Sequence, residues 1–70
     1  RTEDIEILVA HFTSIFNQKY SFDRHFQQRT LDVLKKYSWP GNIRELASVV
    51  EKHLIQASGP IVRPEDLDLK

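Results

Sequence analysis

Two segments of helical periodicity meet at Trp39-Pro40-Gly41-Asn42-Ile43-Arg44-Glu45-Leu46, and this corner narrows the possible folds more than any other part of the chain. Pro40 disfavours helix at the residue before it and has no backbone N–H to donate. Gly41 admits backbone angles that other residues resist. Asn42 is a favoured N-cap, and Glu45, three residues later, completes a variant of the capping box. The run therefore predicts a helix starting at Asn42 with Arg44 in its first turn. A cation there meets the positive end of the helix dipole, which is unfavourable unless an anion arrives. The free N–H groups of a helix start, with a guanidinium beside them, suit a phosphate. On residue chemistry alone the plainer reading stands first: Arg44 is solvated or pairs with a surface carboxylate.

Helix breakers are confined to two places. The chain has only 2 Gly and 3 Pro, around positions 40 and 60. From Glu3 to about Tyr20, apolar residues at Ile5, Leu8, Val9, Phe12, Ile15 and Phe16 follow the rhythm of a helix with one buried stripe. Thr2 is a candidate N-cap, Glu3, Asp4 and Glu6 match the dipole at the start, and Lys19 matches it near the end. Ser21 to Phe26 is a connector in which Asp23, Arg24 and His25 could form a short helical turn, with Phe22 and Phe26 folding back onto the helices. A second helix runs from Gln27 or Gln28 to Tyr37 on Leu31, Val33, Leu34 and Tyr37. Phe26 is placed to staple its start against Thr30 or Leu31, and Gln27 is a poor cap. Lys35 and Lys36 suit its last turn. The third helix, Asn42 to about Ala57, buries Ile43, Leu46, Ala47, Val50, Leu54 and Ala57, with Glu45 and Val49 at the edges. Gly59 and Pro60 stop it. Ile61-Val62 is extended, Pro64 to Leu67 forms a short helical turn, and Asp68-Leu69-Lys70 is a tail.

The expected fold is all-α, a small bundle of three main helices plus a short C-terminal helical turn. Ile5, Leu8, Phe12, Leu31, Leu34, Leu46, Val50 and Leu54 should dominate its core, and the Trp39 N–H needs a partner. At 70 residues the chain is one small domain with little surface to bury. It opens on Arg without Met and reads as a piece of a longer protein.

Composition excludes several functions. With no cysteine there is neither a disulfide nor a thiolate metal site, which suits a cytoplasmic location. His11, His25 and His53 show no i, i+4 pair, so zinc is not expected; His11 and His53 read as half-buried helix residues. No apolar run approaches the length of a membrane span, and there is no signal-peptide pattern. Ser14, Ser38, Ser48 and Ser58 lack nucleophile-elbow surroundings, and no phosphate-binding loop is present. The fragment alone therefore holds no complete catalytic machinery. A short turn containing Gly between two helices raises a helix-turn-helix DNA reader. Its recognition face would carry Arg44, Glu45, Ser48, Glu51 and Lys52. Two acids on that face, and 10 basic against 10 acidic residues overall, oppose binding to a polyanion. A free-standing helical interaction module is a further alternative.

The run Tyr37-x-Trp39-Pro40-Gly41-Asn42-Ile43-Arg44-Glu45-Leu46 resembles the signature at the C-terminal end of the AAA+ domain of bacterial sigma-54-dependent transcriptional activators, the enhancer-binding protein family. Arg1-x-Glu3-Asp4-Ile5, with Leu8 and His11-Phe12, resembles the start of the helical lid in that family, and Ile61-x-x-Pro64-Glu65-Asp66-Leu67 resembles its exit. The matches fall in the family's order and span nearly the whole chain. Asn17 to Arg29 matches loosely, Asp68 stands where a proline is usual, and Ser38 replaces a frequent proline before Trp39.

The resemblance implies that residues 1–70 are the C-terminal helical lid subdomain of an AAA+ ATPase. Arg44 matches the sensor II arginine that reaches the phosphates of ATP. Ile5 and Arg1, with Asp4, would lie near the adenine side, while Gly41 and Asn42 would shape the corner that aims the third helix at the nucleotide. Walker motifs, arginine fingers and bound Mg would belong to a missing α/β subdomain, the lid's first partner. The parent would form a homo-oligomeric ring, engage sigma-54 RNA polymerase, and contact DNA only through a separate downstream domain.

Overall fold

The computed structural model describes residues 2–37 and 43–68, with side chains in the first helix from Asp4 onward. Three helices carry the architecture: α1 (Thr2–Tyr20), α2 (Gln28–Lys36) and α3 (Ile43–Gln56). Two short extended pieces, β1 (His25–Phe26) and β2 (Ile61–Val62), pair in parallel, and a single 3-10 turn follows at Pro64–Asp66. The all-α expectation holds, with α1 packed against both other helices. Trp39, Pro40, Gly41, Asn42 and the Asn42–Glu45 cap lie outside the described residues.

Each helix ends for a local reason. Helix α1 already includes Thr2, so it starts a residue earlier than a Thr2 cap implies. It stops where Ser21 adopts φ 58°, and the Phe22 N–H then turns back to the Asn17 carbonyl at 2.9 Å. This is a Schellman closure with serine in the left-handed position that glycine usually fills. Helix α2 starts after Gln27, whose side chain makes no capping bond, as expected for a poor cap. Its end matches the expected boundary to within a residue, with Tyr37 capping it through an N–H bond of 3.2 Å to Leu34.

The core is Val9, Phe26, Leu34, Leu46, Val50, Leu54 and Val62. Leu34, Leu46, Val50 and Leu54 were expected there. Ile5, Leu8, Phe12 and Leu31 are only partly buried and pack around that centre. Their place is taken by Val9 on α1 and by two residues from the extended pieces. The β1–β2 register explains this: His25 lies opposite Ile61 and Phe26 opposite Val62, so Phe26 and Val62 both point inward. Side chains alternate along a strand, so their neighbours His25 and Ile61 point out. The possible helical turn over Asp23, Arg24 and His25 is therefore corrected to an extended connector. It is held by N–H bonds from His25 to the Pro60 carbonyl (2.9 Å) and from Gln27 to the Val62 carbonyl (3.0 Å).

Other expectations are also corrected. Ile43 is 58% exposed, Ile15 43% and Val33 40%, so these three leave the predicted stripes. Ala57, one residue past the end of α3, meets the expected boundary to within a residue and packs partly buried against the core. His11 is exposed and His53 fully buried, where both were read as half-buried. One flank of α1 carries a ladder of rings: Phe12 and Phe16 stack at 6.5 Å between centroids, followed by Phe16 with Tyr20 and Tyr20 with Phe22. The Tyr20 hydroxyl donates to the Glu51 carboxylate, fastening the end of α1 to α3.

Candidate functional site

Helix α3 positions the residue of most interest. Its inner face, Leu46, Val50 and Leu54, is sealed in the core, which fixes the helix axis. Arg44 lies in the first turn on the exposed side, next to the outward-facing Ile43 and the half-buried Glu45. A guanidinium there adds its charge to the positive pole of the helix. An anionic ligand arriving at this end would meet both. Ile5 is half-buried on α1 and packs against the core from the helix's first half. Arg1, Gly41 and Asn42, the other predicted site residues, lie outside the described residues. The structure thus places Arg44 and Ile5 on two helices that pack together.

A cleft of about 450 Å³ opens between α1, the connector and α2, floored by Val9, Phe26 and Leu31. Its polar rim is Glu6, Asn17, Asp23, Arg24 and His25. Most of these side chains have structural duties. Asn17 Nδ2 donates to the Arg24 carbonyl at 2.7 Å, and its Oδ1 accepts the Arg24 N–H at 3.2 Å. The Arg24 guanidinium stacks over Phe22 and donates to the Leu54 carbonyl on α3. Glu6 accepts from Lys35 at 2.6 Å and from Gln28 at 2.8 Å. The Lys35 hydrogen bond, then that of Gln28, holds the Glu6 carboxyl below its usual range, and the same bond raises Lys35. Nothing in the chain signalled this cleft, because it depends on the extended path of residues 23–26.

The outer face of α3 is partly occupied within the chain. Glu51 accepts from Tyr20, which raises the phenol above its ordinary value, and also pairs with Lys19 at 3.7 Å. Lys52 pairs with Asp68 at 3.3 Å. A recognition helix needs such side chains turned toward a groove, so the helix-turn-helix reading loses two of its five face residues. Among the described residues no group of three or more His, Cys, Asp or Glu could hold a metal ion, and no helix is long and apolar enough to cross a membrane.

The chain matches a family model described as the AAA+ ATPase lid domain over residues 1–70. It is similar to the regulatory protein AtoC of Escherichia coli K12, with 43% identity over 96% of this chain and 15% of that protein. The transcriptional regulatory protein ZraR of the same strain is 36% identical over 99% of the chain and 16% of its own length. The transcriptional regulator VasH of Vibrio cholerae is 46% identical over 80% of the chain and 10% of its own. The chain thus spans only about a sixth or less of these curated relatives. A helical fold of the expected architecture and a family match across its whole length lead to one conclusion: this chain belongs to the AAA+ ATPase lid domain family.

Proposed function

We propose that the chain is the nucleotide-sensing lid of a longer AAA+ ATPase that drives sigma-54-dependent transcription, with Arg44 as its contact to the phosphates of ATP. The observation that carries this reading is the exposed placement of Arg44 in the first turn of a helix whose opposite face is fully buried. A cation carried on a helix whose axis is fixed senses charge near a defined point. Its contact energy differs between ATP and ADP, and only a ligand that distinguishes two states can shift their populations. Ile5, Arg1, Gly41 and Asn42 complete the lid's side of the nucleotide cleft in this reading. The phosphate loop, Mg, ring contacts, polymerase contacts and DNA-binding segment belong to the rest of the protein.

The test is Arg44→Ala in the longer protein. ATP turnover or nucleotide-dependent ring assembly should fall, while the helical circular dichroism of the lid stays at its wild-type level. Unchanged turnover together with unchanged assembly would overturn the assignment.

A further inference from the structure

His53 lies near the end of α3, 2% exposed, with both ring nitrogens engaged. Nδ1 sits 2.7 Å from the Val49 carbonyl one turn back, and the Asp68 main-chain N–H reaches Nε2 at 2.8 Å. A carbonyl only accepts and a backbone N–H only donates, so these partners select one form of the ring. It is the neutral tautomer with hydrogen on Nδ1 and a lone pair on Nε2. The bond to Asp68 ties the segment after the 3-10 turn to the end of α3.

A second proton would change that contact in kind. Taken from solvent onto the Nε2 lone pair, it turns the acceptor into a donor and sets two N–H groups against each other. A cleft of about 140 Å³, lined by Gln56, Ala57, Ser58 and Asp66, opens beside the ring. Asp66 is the charged residue lining that cleft with the ring, and Lys52 and Asp68 are the charged residues next to the two ends of the hydrogen bond. Lys52 is paired with the Asp68 carboxylate at 3.3 Å. Asp66 accepts the Arg63 main-chain N–H at 2.9 Å and lies 3.5 Å from its guanidinium. Asp66 lines that cleft with the ring, so an imidazolium has a new place to turn, but the Asp68 amide has lost its acceptor either way.

We propose that His53 is a protonation-controlled latch: the neutral ring holds the Asp68 main-chain N–H, and the imidazolium frees that N–H while the Lys52–Asp68 pair stays in place. The latch stands on the two hydrogen bonds and the burial of the ring, independent of any nucleotide contact at Arg44.

The test is a ¹⁵N nuclear magnetic resonance titration of the 70-residue chain from about pH 8 to about pH 5, the range in which histidine charge changes. At the upper end the His53 ring should show hydrogen on Nδ1 and a bare Nε2. The Asp68 amide should be protected there and lose protection with the same midpoint as the His53 ring. His11 and His25 are exposed and report separately. In His53→Gln, which keeps an acceptor but takes up no proton, the Asp68 amide should stop following pH. If that variant does not fold, the wild-type titration decides alone. A ring with hydrogen on Nε2, or an Asp68 amide that stays protected while His53 titrates, would overturn the latch. So would simultaneous loss of helical circular dichroism, since the ring would then be holding the whole domain.

Discussion

The Arg24 guanidinium donates to the main-chain carbonyl of Leu54, closing an open acceptor in the last turn of a helix 30 residues further along the chain. The last four carbonyls of a helix have no partner within it. Arg24 supplies one from the connector, is steadied by the Phe22 ring beneath it, and has its own backbone gripped by Asn17. Arg24→Ala should lower stability by about 1.5–3 kcal/mol, the range for a hydrogen bond to a charged group. A lower urea midpoint at unchanged slope would register it. An unchanged midpoint would show that the bond adds nothing in solution.

Ser21 sits at φ 58°, a conformation in which a side chain is strained. Ser21→Gly should therefore stabilise the domain, by up to about 1 kcal/mol once the freer unfolded chain is counted. Thermal unfolding of the two proteins compares them directly, and a lower melting temperature for the glycine variant would contradict the account.

Thr30 is fully buried in α2 and donates from Oγ1 to the Val62 carbonyl at 2.7 Å. That carbonyl also receives the Gln27 N–H. Thr30→Val keeps the shape and leaves Val62 with one donor, so the cost should be about 1 kcal/mol rather than that of an orphaned acceptor. Chemical denaturation reads this out, together with faster amide exchange at Gln27.

Leu54 has no exposed surface, whereas its neighbour Ile55 is 48% exposed. Leu54→Ala should cost about 2–5 kcal/mol. That is comparable with the total stability of about 5 kcal/mol at the low end for small domains, so much of the helical signal should disappear. Ile55→Ala should cost about 1 kcal/mol or less. Circular dichroism on the pair separates core from surface on a single turn of α3.

The Glu6–Lys35 pair sets a pH window. The hydrogen bond from Lys35 lowers Glu6, so its contribution is present above the ordinary glutamate value of about 4.3 and is lost as pH falls through the lower folded value. The same bond raises Lys35, whose contribution is present below about pH 10.4 and lost as pH rises through the higher folded value. Asp66, lowered first by the Arg63 main-chain N–H, adds a second acid-side group. Glu6→Gln should make stability fall less steeply with acid and leave the Asp66 part in place. Both groups of the pair are partly exposed, so added salt should shrink the difference. Superimposable acid limbs for the two proteins would count against the pair.

Helix periodicity and end signals are local, and the chain alone determined what depends on them. Apolar residues at helical spacing foretold all three helices, and Leu34, Leu46, Val50 and Leu54 sit in the core where that spacing put them. The corner from Trp39 to Leu46 foretold a helix with Arg44 at its start. Only tertiary structure decided the rest, since it rests on residues far apart in sequence. Phe26 and Val62 reach the core because their strands meet in one register. Arg24 finds Leu54 and Tyr20 finds Glu51 because α1 and the connector lie along α3. His53 follows α3's periodicity into the interior, but its tautomer is set by Asp68, 15 residues on. A side-chain period says which way a residue faces on its own element. What it meets there depends on how the elements close on one another, and that is a property of the assembled fold.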